Sequence, residues 1–116
     1  MPKIDFSRAR LMHRNWRTRL KLYFEGEKAL PDEEVLYHED CQMGRWLYSE
    51  GMITYDSIPD MRKLEKVHAR LHNHVRSYLE LRKVGNLQLC ERELNKIEEL
   101  SEEIMVLLTE IEKTIS

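Results

Sequence analysis

The chain has 116 residues, a net charge of −2, 41% hydrophobic and 34% charged residues, and only four glycines and three prolines. This length suffices for one domain with a genuine core, so we expect residues 1–116 to form a single domain. The charge balance provides no basic surface for nucleic acid, and no stretch approaches the ~18–20 apolar residues of a membrane span. We therefore expect neither nucleic-acid binding nor membrane insertion.

The two cysteines, Cys41 and Cys90, are too few and too far apart to form a disulfide framework. Residues Met1–Arg10 lack the apolar core of a secretion signal. Both features fit a reducing compartment, and a cytoplasmic location is expected.

The first helix is predicted from about Ser7 to Glu27, with Gly26 and Pro31 marking its end. Its apolar stripe has the steps of three and four residues that place side chains on one helix face. The stripe is Phe6, Ala9, His13, Trp16, Leu20 and Phe24.

The segment from Pro31 to Gly51 is less regular. A proline followed by three acidic residues predicts a helix start at Pro31. Cys41 to Tyr48 is then predicted as a short helix that stops at Gly51, and residues 52–57 are predicted as a loop leading to Pro59.

Two long helices complete the chain. The third is predicted from Pro59 to Val84, with Gly85 as its C-terminal stop, and the fourth from Asn86 to about Thr114. The stripe of the third is Leu64, His68, Leu71, His72, Val75 and Leu79. The stripe of the fourth is Leu87, Cys90, Leu94, Ile97, Ser101, Ile104, Leu108, Ile111 and Ile115. No strand alternation appears, so we expect an all-α, antiparallel four-helix bundle with a short extra helical segment that carries the cysteine motif.

Three histidines lie on these apolar stripes, where an unpaired imidazole would be costly. A single histidine in such a place usually bonds a backbone carbonyl or a carboxylate. However, His68 and His72 are four residues apart on one helix and can chelate together. Cys41, at a helix start that favours the thiolate, supplies the soft ligand that zinc prefers. With His13, this set predicts a tetrahedral zinc site, His13, Cys41, His68 and His72.

Other polar residues are interpreted as bystanders. His38 is interpreted as a partly exposed residue of an acidic loop and less readily as a substitute ligand. His74 is expected to be solvated and Cys90 to lie in the core. The acidic residues of the fourth helix, among them Glu93, are interpreted as its solvated face. No phosphate loop or nucleophile elbow occurs, and one Glu-x-x-His unit, ending at His68, is too few for a di-iron bundle, so no enzymatic activity is expected.

The order of these motifs resembles the chemoreceptor zinc-binding domain family of bacteria. The matching stretches are residues 13–16, Cys41 to Tyr48, His68 to His72, and, after Gly85, Ile97 to Ser101. The resemblance implies a three-histidine, one-cysteine zinc site on His13, Cys41, His68 and His72. It also implies homodimers that regulate chemoreceptors or diguanylate cyclases through metal occupancy or thiol oxidation. Met43 stands where the family usually has Leu, a volume-conserving difference.

The chain contains no receptor signalling helix and no cyclase, so we expect either an excised domain or action on a separate partner protein. The expected function is a cytoplasmic zinc-binding sensory or regulatory domain that responds to zinc, oxidants or both. Two alternatives stay open at this point. One is a purely structural, zinc-stapled dimerisation bundle, and the other is a haemerythrin-like di-iron oxygen-binding protein.

Overall fold

A computed structural model describes residues 2–24 and 37–115. This part of the chain is helical and contains no strand, which confirms the all-α prediction. The elements are α1 (Pro2–Phe24), α2 (Gln42–Trp46), a π-helical segment (Leu47–Gly51), α3 (Met52–Tyr55), α4 (Pro59–Lys83) and α5 (Leu87–Ile115). Among these residues, no helix combines the length and apolar character that crossing a bilayer requires.

The first half of the chain departs from the predicted boundaries. Helix α1 begins at Pro2, five residues before the predicted start. Its predicted end at Glu27 and the predicted helix start at Pro31 lie outside the described residues.

The prediction of a helix stop at Gly51 followed by a loop was wrong. Gly51 has right-handed helical dihedrals, φ −58° and ψ −56°, and α3 follows it directly. Its lack of a side chain serves packing, because a Cβ there would lie 3.2 Å from both the Trp46 ring and the Met61 methyl. The absence of a side chain at Gly51 therefore allows its backbone to lie close to the Trp46 ring and the Met61 methyl.

The two long C-terminal helices match the prediction closely. Pro59 occupies the first turn of α4, where its missing N–H costs nothing. Gly85 has φ +74°, the left-handed conformation that commonly ends a helix. The Asn86 side chain then accepts a hydrogen bond from the backbone N–H of Leu89 at 3.2 Å and caps α5. Helices α4 and α5 make the most extensive contact between any two elements described.

The core is built from the predicted stripes of these helices. Along α5 the stripe is buried from Cys90 to Ile111, except that Leu94 is half-buried, whereas Leu87 at its start is exposed. Helix α1 packs on α5 and α2. The described side chains of its stripe are all buried: Phe6, Ala9, His13, Trp16 and Leu20.

Candidate metal centre

Cys41 sits at the beginning of α2, as the sequence predicted. It is the N-cap residue, with extended backbone dihedrals, and its Sγ accepts a hydrogen bond from the backbone N–H of Gly44 at 3.2 Å. The thiol is 4% exposed, and it also contacts the carbonyl oxygen of His38 at 3.6 Å. Backbone geometry on both sides thus fixes the position of the sulfur.

Gly44 makes this arrangement sterically possible. A Cβ at position 44 would lie 1.7 Å from the carbonyl oxygen of His38, so any side chain would force the two segments apart. Arg45 strengthens the same turn, because its Nε and Nη2 donate to the carbonyl oxygen of Asp40 at 3.0 and 2.7 Å. From the sequence, Gly44 was only one residue of the Cys41 to Tyr48 motif, and its steric role depends on the approach of His38, which the fold decides.

His68 and His72 project from one face of α4 into the same region. Each is 1% exposed, and their ring centroids lie 4.9 Å apart at 84°. Nε2 of His68 lies 3.2 Å from Sγ of Cys41. One ligand atom from each of Cys41, His68 and His72 can be chosen so that all three lie within 4.8 Å of one another.

These separations fit a single tetrahedral ion. With Zn–S near ~2.3 Å and Zn–N near ~2.0 Å, sulfur and nitrogen ligands lie about 3.5 Å apart. In addition, the buried Nδ1 of His68 has no hydrogen-bond partner among the described residues. His68 therefore has one nitrogen, Nε2, placed beside the thiol for a shared ion, while its other nitrogen has no protein partner among the described residues.

The electrostatics keep two of the site histidines, His13 and His68, in their metal-binding form. Burial, followed by the nearby His72, His38 and His13, holds the pKa of His68 well below its usual value. Burial and then the Arg17 guanidinium lower the pKa of His13 to about 4. Both imidazoles are therefore neutral near pH ~7, with a lone pair available to a metal.

His13 stands apart from the three-residue group. Its Nε2 lies 2.7 Å from Oγ of Ser101, a buried residue of α5. It nevertheless lines the same cavity of about 220 Å³ as Cys41, His68 and His72. The Trp16 ring contacts both His13 and His72, with centroid separations of 5.6 and 4.9 Å. The structure thus brings three predicted ligands together and places the fourth on the wall of their cavity.

The predicted bystanders have mixed outcomes. His38 is half-buried and outside the three-residue group, but its ring centroid is 5.9 Å from that of His68. His74 is solvated only in part, because its Nδ1 lies 2.6 Å from Oε1 of Glu93, and both side chains are half-buried between α4 and α5. Cys90 is buried, as predicted, and its thiol points to the carbonyl oxygen of Tyr78.

Comparison with known families identifies the domain family. The family model of the chemoreceptor zinc-binding domain matches residues 13–79, which is more than half of the chain. This range contains all four predicted ligands. The chain belongs to the chemoreceptor zinc-binding domain family. No curated protein and no solved structure gives a significant match.

Family membership identifies the metal of this zinc-binding domain. Zinc is its cofactor, and the thiol and imidazoles of Cys41, His68 and His72 are ligands that zinc accepts. The group contains no carboxylate, whereas a haemerythrin-like centre needs bridging carboxylates, so the di-iron alternative loses its support. The match ends at residue 79, so the resemblance noted at Ile97–Ser101 lies beyond it.

Proposed function

We propose that this chain is a zinc-binding sensory or regulatory domain of bacterial signal transduction. The observation that carries the proposal is the buried group of Cys41, His68 and His72, whose spacing suits one zinc ion. His13 is proposed as the fourth ligand, because it faces the same cavity and has a neutral ring. The proposed site would then have three nitrogen ligands and one sulfur ligand, the closed set expected from the sequence.

The proposed sensing step uses the position of Cys41. When bound, zinc supplies the positive charge that holds this side chain as a thiolate. The same sulfur caps α2 through the N–H of Gly44, and a thiolate is a stronger acceptor than a thiol, so oxidation of the thiolate or loss of the metal would also weaken a helix cap. Helix α2 packs against α1 and continues directly into the π-helical segment. A change at Cys41 would therefore shift this whole helical run against its neighbours.

The domain is proposed to be regulatory and without catalytic activity of its own. The family is a regulatory zinc-binding one. A zinc ion with four protein ligands also has no open position at which to activate water.

The proposed assembly is a homodimer of helical bundles. We propose that residues 1–116 form one antiparallel four-helix bundle that acts in the cytoplasm as a homodimer. Leu11, on α1 beside the half-buried Met12, is 55% exposed and provides apolar surface outside the core. The domain is proposed to regulate a signalling domain of the chemoreceptor or diguanylate-cyclase type, either in the same protein or in a partner protein.

A purely structural zinc site is the second candidate. The observation in its favour is the burial of Cys41, because a thiol that is 4% exposed is poorly placed to meet an oxidant from solution. In that case zinc would hold the helices together, and the domain would not switch between conformations.

Metal analysis and hydrogen exchange test the two candidates. Elemental analysis of protein purified without added metal should give about one zinc per chain, and iron or no metal would refute the zinc proposal. Zinc should then be removed with a chelator while amide exchange is followed along α2. Faster exchange at Gly44 and Arg45, with α5 still protected, supports a switch. Unchanged exchange in α2 supports the structural candidate.

A further inference from the structure

A buried serine on α5 is bonded to the histidine of α1. Ser101 is 2% exposed, and its Oγ lies 2.7 Å from Nε2 of His13, which is 3% exposed. Position 101 belongs to the apolar stripe of α5, with Ile97 and Ile104 one turn away on either side. A hydroxyl in such a place is costly unless it is hydrogen-bonded. Its polar neighbours therefore account for a serine at this position.

Arg17 is the second polar neighbour of Ser101. Its Nη1 donates to Oγ of Ser101 at 2.6 Å, while its Nη2 pairs with Glu98, three residues earlier on α5. A guanidinium can only donate, so it occupies one lone pair of the hydroxyl. The hydroxyl keeps its second lone pair and its own hydrogen for His13. The bond to Nε2 can therefore persist whichever ring nitrogen carries the proton.

This bond determines which nitrogen of His13 is available to the metal. Nε2 is engaged by Ser101, so Nδ1 is the ring nitrogen left without this bond. The His13 ring lines the same cavity as Cys41, His68 and His72. Histidines that bind metals almost always direct their other nitrogen to a hydrogen-bond partner, which fixes the orientation of the ring. Ser101 is in the position of that hydrogen-bond partner for His13.

We propose that Ser101, held by Arg17, is a positioning residue of the zinc site that engages Nε2 of His13 and leaves Nδ1 to bind the metal. This inference rests on the proposed four-ligand site. It brings α5 into the metal centre, although none of the proposed ligands lies on that helix. The His13–Ser101 bond then connects the ligand on α1 directly to the C-terminal helix.

Zinc affinity measured by competition with a chromogenic chelator tests the proposal on the full chain. Ser101→Ala should weaken zinc binding about 10- to 100-fold, the usual effect of losing such a partner. Ser77→Ala, an exposed serine on α4, is the matched control and should leave the affinity unchanged. Unchanged affinity in Ser101→Ala overturns the proposal. Tighter binding also overturns it, because Ser101 would then be competing with the metal for His13.

Nitrogen NMR of the histidine rings in the zinc-loaded protein provides an independent measurement. We expect the metal on Nδ1 of His13 and a slowly exchanging hydrogen on Nε2, which should exchange faster in Ser101→Ala. Zinc on Nε2 would refute the positioning role. The His13→Ala variant distinguishes an error in the proposed ligand set from an error in the role of Ser101. If it binds zinc as tightly as the wild type, the proposed ligand set is wrong. If it loses affinity and Ser101→Ala does not, only the role of Ser101 fails.

Discussion

Sγ of Cys41 lies 3.2 Å from Nε2 of His68, although 27 positions separate the two residues in the chain. The contact joins the start of a short helix to the middle of a long one. It depends on two backbone features: the close approach of Gly44 to His38 and the α4 helix that carries His68 and His72 on one face.

Removing either histidine of the chelating pair should abolish stoichiometric zinc binding. His68 and His72 are four residues apart on one rigid helix and chelate together, so either alanine variant destroys this chelating pair, which Cys41→Ser leaves intact. Equilibrium dialysis against a buffered zinc solution measures the stoichiometry. His74→Ala is the control from the same helix, since it pairs with Glu93 and should still bind about one zinc per chain. Equal loss in all three variants would indicate general unfolding and contradict the assignment.

Cys41→Ser should keep measurable zinc but lose its response to oxidants. The three histidines can still hold the ion with water in the vacant position, as three-ligand zinc sites do. Zinc release by peroxide or hypochlorite, followed with a chromogenic chelator, checks this. Cys90→Ser should release zinc as the wild type does, because Cys90 is buried away from the cavity. Oxidant-driven release from Cys41→Ser at the wild-type rate would leave only the structural role.

Gly44→Ala should weaken zinc binding and destabilise the fold together. The new Cβ would collide with the backbone carbonyl of His38, and relief of this clash must move the segment that holds Cys41. Overpacking of this kind typically costs ~1–3 kcal/mol in the free energy of unfolding.

Gly85→Ala separates the site effect from simple backbone strain. Gly85 has a positive φ, so alanine there should cost about 1–2 kcal/mol, but among the described residues, apart from its two chain neighbours, nothing lies within 4 Å of the added methyl. Urea unfolding and zinc titration of both variants provide the comparison. Wild-type zinc affinity in Gly44→Ala would show that the turn does not set the position of the thiol.

The metal-free protein should become less stable as the pH falls below about 6.5. The folded state lowers the pKa of His13 to about 4, so the unfolded chain takes up a proton at a higher pH than the folded chain does. This contribution is complete above about pH 6.5 and declines toward about pH 4. From about pH 7.5 to about pH 5 the loss from His13 is roughly 2 kcal/mol. Urea unfolding at both pH values measures it, and His13→Gln should show a smaller dependence.

A dimer should form through the exposed surface of α1. Light scattering at micromolar concentration should give twice the 14.0 kDa mass of one chain. Leu11→Glu should shift the mass toward the monomer, whereas Ile53→Glu, at another exposed apolar residue, should not. A monomeric wild type would contradict the proposed assembly.

The sequence alone was sufficient for the parts of this protein that depend on local rules. The period of apolar residues, together with Pro59 and Gly85, located α4 and the start of α5 to within about a residue, because helix ends follow from backbone geometry at those positions. The pairing of His68 with His72 is likewise local, since residues four apart always share a helix face. The same rules failed at Gly51, where a glycine serves close packing against Trp46 instead of ending a helix.

Only the tertiary structure decided what lies beside each predicted ligand. His13 and Ser101 are 88 positions apart, and His74 meets Glu93 across two helices. Such contacts depend on how each helix is rotated about its axis and how far it slides along its neighbour. Those two quantities are set by the packing of whole side-chain surfaces, which no local sequence pattern specifies.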